Sequence, residues 1–282
     1  MSSILYLGPE GTHSHDAARR CFGDSSELTP CVSHHDLFAQ LEAGKNRRGC
    51  MTALLPVENS SEGPVTQTLD LLAEHPELFI LESISMPIKH HLMAHPKLRH
   101  LEDIERLYSH PQALGQCRVK IDKWLPQVER IAEPSTAASA EKVAHEPASA
   151  ALASAAAAER YGLKILKRNM QTSNQNTTRF LILSTKKRPL PAKAEESGNI
   201  RSLVYVVLHN RPGALLHALS PFDAAGVDLT FIQSRPLPGK PWEYAFFIEA
   251  VTNWSQPAHS AAWQLIAALS ASARQLGVYV AK

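Results

Sequence analysis

The stretch ILYLGPEGTHSHDAA, residues 4–18, begins as an apolar strand and continues as a helix from about Ser14. Between these two parts, GPEGTHS (8–14) is made of small and polar residues. Such residues cap a helix, and a helix start also presents backbone N–H groups that attract anions. The stretch therefore predicts a strand–loop–helix unit whose loop either only caps the helix or also binds an anionic ligand.

The same unit recurs up to residue 185, which predicts an α/β fold with a largely parallel sheet. An Ala-rich helix is predicted over 148–160, ending near Gly162, and FLIL (180–183) is the last predicted strand. The other predicted strands, each followed by a helical pattern, are MTALLPV (51–57), IERLYS (104–109) and VERIAE (128–133).

A second domain is predicted after a Pro-rich, charged segment, KKRPLPAKAEESGN, at 186–199. Residues 200–282 contain strand and helix patterns in the order β-α-β-β-α-β, which is the ferredoxin-like order. The predicted organisation is a domain at 1–185, a linker at 186–199 and a domain at 200–282.

The composition favours a globular enzyme or binding protein over a nucleic-acid-binding one. The formal net charge is +2, from 29 basic and 27 acidic residues, and 44% of the residues are hydrophobic. No apolar run approaches about 18 residues and no signal peptide is evident, so we expect a cytoplasmic protein with no membrane contact. The histidines show no metal-ligand spacing, so no metal is predicted. The four cysteines, Cys21, Cys31, Cys50 and Cys117, contain no C-x-x-C pair and are expected to be free thiols.

The loop PVENSSEG (56–63) places Glu58, Asn59 and Ser60 directly after a predicted strand. Asn59 and Ser60 can donate hydrogen bonds to a carboxylate or a leaving hydroxyl, and Glu58 can hold a neighbouring side chain. An ordinary turn explains the same residues, so both interpretations remain open.

The segment NTTRF (176–180) places two hydroxyls and an arginine at the entrance of the last predicted strand. Arg179 can grip a carboxylate through two charge-assisted hydrogen bonds. Thr177 and Thr178 face opposite sides of a strand, so only one of them can share a face with a ligand. The alternative is a solvated strand entrance with an internal ion pair.

Seven long motifs in order make nearly the whole chain resemble bacterial prephenate dehydratase of the monofunctional kind, with a C-terminal ACT regulatory domain. They are GPEGTHSHDAA (8–18), LLPVENSSEG (54–63), YSHPQALGQC (108–117), STAASAEKVA (135–144), NTTRFLIL (176–183), NRPGALLHAL (210–219) and SRPLPGKPWEYAFF (234–247). The resemblance implies a two-lobed catalytic domain like a type 2 periplasmic binding protein. It also implies conversion of prephenate to phenylpyruvate in L-phenylalanine biosynthesis, phenylalanine as allosteric effector, no cofactor, and self-association as a dimer or tetramer.

The resemblance also implies roles for particular residues. The catalytic set is Thr178, Arg179, Asn59, Ser60 and Glu58. The substrate-binding set is Thr12, Ser14, Ser109, Gln112, Ser135, Thr136, Thr177 and Phe180. The effector-binding set is Asn210, Pro212, Gly213, Ala214, Leu215, Gln233, Ser234 and Arg235.

Two residues depart from the family pattern. His13 stands where Phe or Tyr is usual, at the rim of the implied active site, and Gln233 stands where Glu is usual, in the effector motif. Two other functions remain open: arogenate dehydratase, which performs the same reaction on the amino analogue, and a non-catalytic amino-acid sensor.

Overall fold

The computed structural model describes residues 3–23, 26–44, 51–173, 175–191, 194 and 198–282. Cys50 and parts of the predicted linker lie outside these residues. The chain forms two compact units. Unit 1 comprises Met1–Leu37, Asn59–Gly63 and Met86–Thr178, and unit 2 comprises Phe38–Glu58, Pro64–Ser85 and Arg179–Lys282.

The strands are β1 Ile4–Leu7, β2 Leu28–Cys31, β3 Thr52–Asn59, β4 Gly63–Pro64, β5 Phe79–Pro87, β6 His91–Ala94, β7 Arg106–Ser109, β8 Glu129–Ala132, β9 Ser149–Ala153, β10 Lys164–Lys167, β11 Thr177–Ser184, β12 Ile200–Val207, β13 Leu229–Pro236, β14 Tyr244–Ala250 and β15 Ser272–Ala281.

The helices are α1 His13–Phe22, α2 His34–Gly44, α3 Thr66–Glu74, α4 Pro111–Gln116, α5 Arg118–Trp124, α6 Thr136–Val143, α7 Ala155–Arg160, α8 Ala214–Ala224 and α9 Pro257–Leu269, with a short 3₁₀ turn at Leu101–Asp103. None of the helices in the described residues is long and apolar enough to span a bilayer.

In unit 1, a sheet with the strand order β10-β6-β9-β7-β8 carries the core. Strand β7 is parallel to β8 and β9, whereas β6 is antiparallel to β9 and β10. This sheet is therefore mixed, and the expectation of a largely parallel sheet is wrong here. The short strands β6 and β10 were not predicted, because His91–Ala94 and Lys164–Lys167 contain few β-branched or aromatic residues.

The helix predicted over 148–160 is a second correction. Residues Ser149–Ala153 form β9, and only Ala155–Arg160 is helical, with the Ser154 hydroxyl as N-cap. Alanine favours helices, but all five residues of β9 are buried between β6 and β7, and this tertiary burial overrides the weak local preference.

In unit 2, residues 200–282 have the predicted β-α-β-β-α-β order, which is confirmed. Their sheet has the order β13-β14-β12-β15, and the sheet continues through β5 and β11 to β3. Strand β15 is antiparallel to β12 and pairs in parallel with β5, so residues 200–282 share a sheet with the preceding part of unit 2. Buried apolar side chains, among them Val206, Phe222 and Ile266, join α8 and α9 to this sheet.

Candidate active site

Asn59 and Thr178 meet in unit 1, at the end of β3 and the start of β11. Nδ2 of Asn59 donates to Oγ1 of Thr178 over 2.8 Å. Oδ1 of Asn59 accepts from the backbone N–H groups of Ser61 and Glu62, which fixes the orientation of the amide. The Thr178 hydroxyl oxygen is therefore an acceptor in this contact, and its proton remains available for another acceptor. Thr178 is 8% exposed, so this proton lies in a nearly dry environment.

Ser60 joins the same loop to the segment that precedes Thr178. Its hydroxyl donates to the Gln175 carbonyl over 2.9 Å and accepts from the Thr177 backbone N–H over 3.0 Å. The Ser60 backbone N–H donates to the Thr177 carbonyl. These three bonds hold the entrance of β11 in place, so Ser60 has a structural task; its catalytic role stays a prediction.

A chain of amides continues from Asn59 to a buried histidine. Nδ2 of Asn59 also donates to Oδ1 of Asn176, and Nδ2 of Asn176 donates to Oε1 of Gln116, each over 2.8 Å. Oε1 of Gln116 is therefore an acceptor, so Nε2 of His90, 3.1 Å away, carries the proton. The fixed amide of Asn59 thus determines the tautomer of His90 through two intervening residues, Asn176 and Gln116.

His13 lies beside His90, with the ring centroids 5.2 Å apart. Burial lowers the pKa of His90 to about 4, although the hydrogen bond with Gln116 opposes this. Burial, together with the neighbouring His90, lowers the pKa of His13 to about 3. Both imidazoles are therefore neutral at neutral pH.

Three polar atoms in this neighbourhood are buried without a hydrogen-bond partner among the described residues: Nε2 of His13, Nδ1 of His90 and Nε2 of Gln116. Buried polar atoms are normally satisfied, so atoms of this kind, on residues that the amide chain and the ring contact join to Asn59, are suited to a polar ligand. His90, Gln116 and Asn176 were absent from the predicted site. Gln116 and Asn176 lie inside two of the seven motifs, at 108–117 and 176–183, whereas His90 lies in none of them.

Two of the predicted substrate-binding loops serve as helix caps in unit 1. The Thr12 hydroxyl accepts from the His15 backbone N–H and donates to the Pro9 carbonyl, and Ser14 follows in α1. Ser135 caps α6 by accepting from the Ala138 backbone N–H, and Thr136 is the first residue of that helix. This is the capping alternative; a substrate contact for these four residues stays a prediction.

Ser109 and Gln112 flank the start of α4. The Ser109 hydroxyl is fully buried and donates to the Leu152 carbonyl over 2.7 Å, so it joins β7 to β9. Gln112 lies in the first turn of α4 and is partly exposed. A substrate contact by either side chain also stays a prediction.

Arg179 is bound by two carboxylates in unit 2. Nη1 lies 2.5 Å from Oε1 of Glu249, and Nη2 lies 2.9 Å from Oε2 of Glu58. Burial acts to lower the pKa of Arg179, but Glu249, Tyr279 and Glu58 raise it above its ordinary value, so the guanidinium stays charged. Both terminal nitrogens have anionic partners, and a substrate carboxylate would have to compete with them. The substrate grip of Arg179 stays a prediction. Phe180, the next residue, is a core side chain at 1% exposure.

The predicted effector residues divide between α8 and β13. Gly213 has a positive φ of 79° immediately before α8, which therefore begins at Ala214, two residues after Pro212. A cavity of about 170 Å³ beside this helix start is lined by residues that include Asn210, Ala214 and Leu215.

On β13, Nε2 of Gln233 donates to the Ser234 carbonyl over 2.8 Å. Arg235 makes a two-point ion pair with Asp70 of α3, at 2.8 Å and 2.5 Å. Arg235 therefore anchors β13 to α3, and this contact occupies its guanidinium.

The described residues contain one group suited to a metal ion, formed by Glu42, His75 and Glu77 in unit 2. Exposed acidic groups of this kind are common without an ion.

Comparison with known proteins gives the family. The prephenate dehydratase family model matches residues 4–188. The bifunctional chorismate mutase/prephenate dehydratase of Stutzerimonas stutzeri is 38% identical over 254 residues, covering 90% of this chain and 66% of the relative. The prephenate dehydratase of Lactococcus lactis subsp. cremoris is 33% identical, covering 98% of this chain and 96% of the relative. The chain thus spans about two thirds of the first relative and nearly all of the second.

Two solved structures are similar over 99% of the chain, each with a TM-score of 0.87. One is a prephenate dehydratase from Arthrobacter aurescens in complex with L-Phe, at 31% identity and 90% coverage of that chain. The other is GqqA, described as a novel type of quorum quenching acylase, at 30% identity and 98% coverage of that chain. From the match of its residues 4–188 and from these relatives, the chain belongs to the prephenate dehydratase family.

Proposed function

We infer that the chain catalyses the decarboxylating dehydration of prephenate to phenylpyruvate, a step of L-phenylalanine biosynthesis. The family match supports this, and the observation that carries it is the Asn59–Thr178 hydrogen bond. That bond leaves the Thr178 hydroxyl with a proton to donate in a nearly buried position.

The chemistry needs such a donor. In prephenate, the bond between the ring carbon and the ring carboxylate breaks and releases carbon dioxide. Its electron pair enters the ring, which becomes aromatic as the C–O bond opposite breaks. The departing hydroxyl takes one proton and leaves as water. Thr178 donates a hydrogen bond or the proton to this oxygen, and no covalent intermediate is needed.

The neighbouring polar atoms suit the rest of the substrate. Nε2 of Gln116 is a donor that no described residue accepts from. Neutral His90 and His13 would add no charge beside the ring carboxylate, which must lose its own. The predicted roles of Arg179, Ser60 and Thr177 belong to this proposal, with Arg179 directed to a substrate carboxylate.

Phenylalanine is the proposed effector, and residues 200–282 are the proposed ACT domain. The solved relative with L-Phe bound supports this, as does the ferredoxin-like order of these residues. Gly213 opens α8 with a positive φ, where a side chain would be strained, and the helix start offers N–H groups to an amino-acid carboxylate.

Self-association as a dimer or tetramer is part of the proposal. Strand β13 is at the end of its sheet and carries Ile232, which is 47% exposed, and such an edge is normally covered. Light scattering at working concentration tests this, and a monomer would contradict it. A cytoplasmic location likewise remains a prediction.

The experiment that tests the activity compares kcat/KM for prephenate and for arogenate, with phenylpyruvate measured by its absorbance in alkali, or phenylalanine by chromatography. Turnover of prephenate supports the proposal, and a strong preference for arogenate would reassign the substrate. Binding of phenylalanine without turnover of either compound would leave the non-catalytic sensor. We expect activity to survive EDTA; inactivation that one added metal reverses would contradict a mechanism without a metal.

A further inference from the structure

Glu249 on β14 is a buried carboxylate that receives hydrogen bonds from three side chains. It is 2% exposed. Its Oε1 accepts from Nη1 of Arg179 and from the Thr230 hydroxyl, each over 2.5 Å, and its Oε2 accepts from the Tyr279 hydroxyl. Burial raises the pKa of Tyr279 well above its ordinary value, and the charge of Glu249 raises it further, so Tyr279 remains a neutral donor. We call Glu249, Arg179, Thr230 and Tyr279 the Glu249 cluster. Burying a carboxylate costs free energy unless the carboxylate is paired in this way, so the stability of the cluster depends on each of these side chains.

Arg179 is the member of this cluster that belongs to the catalytic strand. It directly follows Thr178 on β11, and Glu58 of β3 is its second anionic partner. The guanidinium carbon of Arg179 also lies 5.4 Å from the centre of the Phe231 ring. Two of the three groups that hold this guanidinium, Glu249 and Phe231, therefore come from residues 200–282.

The Glu249 cluster also lies beside the strand that carries the effector motif, β13. Phe231 on β13 is the cross-strand partner of Glu249 on β14, and two residues further along, Gln233 pairs with Phe247. The segment Gln233–Arg235 lies on the same strand, and Arg235 is itself anchored to Asp70. A displacement of β13 at Gln233 would therefore be transmitted within two residues to the side chains around Arg179.

We propose that Glu249 is a positioning residue that couples effector occupancy to catalysis. It holds the Arg179 guanidinium, and Arg179 in turn sets the position of the adjoining Thr178 backbone on β11. An effector that binds one arrangement of β13 and β14 more tightly shifts Glu249, and with it the start of the catalytic strand. The inference rests on the proposed function, because its readout is prephenate turnover and its inhibition by phenylalanine.

The substitution Glu249→Gln keeps the volume and removes the charge. The response to be measured is the ratio of kcat/KM for prephenate without and with saturating phenylalanine. In allosteric proteins, this kind of ratio is about 5- to 150-fold. We expect Glu249→Gln to bring this ratio closer to one by a factor of about five or more. Thermal unfolding serves as the control that the variant is folded.

The matched control is Glu82→Gln. Glu82 lies on β5 and pairs with Lys282, which follows β15, so this ion pair also joins residues 200–282 to the preceding part of unit 2. Among the described residues, the side chains of Glu82 and Lys282 form no hydrogen bond or ion pair with β13 or with the Arg179 side chain, and these two side chains are 34% and 60% exposed. We expect the phenylalanine response of this variant to equal that of the unmodified protein.

A double variant separates positioning through Arg179 from a general structural role. If Glu249 acts through Arg179, then Glu249→Gln combined with Arg179→Lys reduces the response no more than Arg179→Lys alone. If Glu249 is merely structural, the two effects add. Should Glu249→Gln fail to fold, Tyr279→Phe removes only one donor to Glu249 and is expected to reduce the response by a smaller factor.

The results that overturn the inference are distinct from those that overturn the function. A folded Glu249→Gln variant with an unchanged response, or effects that add in the double variant, would reject the coupling role while leaving the activity intact. Turnover of prephenate that phenylalanine does not alter in the unmodified protein would also reject it. A protein with no prephenate or arogenate turnover would reject the proposed function itself.

Discussion

The amide of Asn59 is a donor to the Thr178 hydroxyl oxygen, over 2.8 Å, because its own oxygen is occupied by two backbone N–H groups. The hydroxyl proton of Thr178 must therefore point away from Asn59. This arrangement converts an ordinary threonine into a directed donor, and it depends on the ends of β3 and β11 lying side by side.

The first prediction concerns Thr178→Ala. We expect the variant to fold and its kcat to fall by roughly 10²- to 10⁴-fold, because a positioned donor to the leaving oxygen is lost. Steady-state kinetics with circular dichroism as a folding control checks this. Thr178→Ser keeps the hydroxyl and should stay within about tenfold of the unmodified enzyme. Near-normal turnover by a folded alanine variant would remove Thr178 from the chemistry.

The second prediction concerns Asn59→Asp, which exchanges the amide donor for an acceptor of the same shape. The introduced carboxylate, when ionised, would accept the Thr178 proton and turn it away from the substrate, so we expect kcat to fall by on the order of 10²-fold near neutral pH. Protonation of this carboxylate restores a donor, so the activity relative to the unmodified enzyme should rise as the pH falls. A flat ratio across pH would contradict the direction assigned to this hydrogen bond.

The sequence predicted the positions of Asn59 and Thr178 relative to the strands, but it did not predict which side chains they contact. Asn59 was placed directly after a predicted strand and Thr178 at the entrance of another, because apolar runs and polar loops mark such points locally. The two residues are 119 positions apart along the chain, and no local pattern predicts that they are in contact. The same holds for Gln116 and His90, whose importance follows only from the amide chain that joins them to Asn176.

The alternatives kept open for Arg179 illustrate the same limit. The sequence allowed either a grip on a substrate carboxylate or an internal ion pair, and the structure contains two ion pairs, with Glu58 and Glu249. Glu58 lies 121 residues before Arg179, and Glu249 lies 70 residues beyond it. Local pattern could therefore mark Arg179 as a residue that needs an anionic partner, but it could name neither of the two partners.

The third prediction concerns Arg179→Lys. An ammonium group cannot make the planar two-point contacts of a guanidinium, whether to a substrate carboxylate or to Glu58 and Glu249 together. We expect the fold to persist and KM for prephenate to rise by about tenfold or more, the scale of one charged hydrogen bond. Initial-rate kinetics decides this. An unchanged KM would mean that Arg179 does not contact the substrate, and it would restrict the residue to the ion-pair cluster.

The fourth prediction concerns pH and His13. Its folded-state pKa of about 3 lies below the ordinary value of 6.5, so the unfolded chain binds the extra proton first as the pH falls. The stability due to neutral His13 is therefore complete above about pH 6.5 and is lost progressively toward pH 3. Between about pH 7.5 and pH 5, this loss is on the order of 2 kcal/mol.

The substitution His13→Phe tests this, because it restores the residue type usual in the family and removes the titration. We expect the free energy of unfolding of the variant to fall less steeply with pH than that of the unmodified protein. His90 titrates in both proteins and cancels in the difference. Denaturant unfolding at several pH values gives the two slopes, and parallel slopes would contradict the neutral state assigned to the His13 imidazole.

The fifth prediction concerns Gln233, which stands where the family usually has Glu. In the structure, its Nε2 donates to the Ser234 carbonyl, a bond that a glutamate cannot make. Glutamate would instead present a charged oxygen to the ammonium group of bound phenylalanine or to a supporting network. Replacing a charged hydrogen bond by a neutral one weakens it by on the order of 1 kcal/mol, which is several-fold in affinity.

We therefore expect phenylalanine to inhibit the unmodified enzyme and to inhibit Gln233→Glu at several-fold lower concentration. Inhibition curves for both proteins, measured at the same ratio of prephenate to KM, decide this. Equal midpoints would remove Gln233 from effector binding, and no response in either protein would leave residues 200–282 with a role in assembly alone.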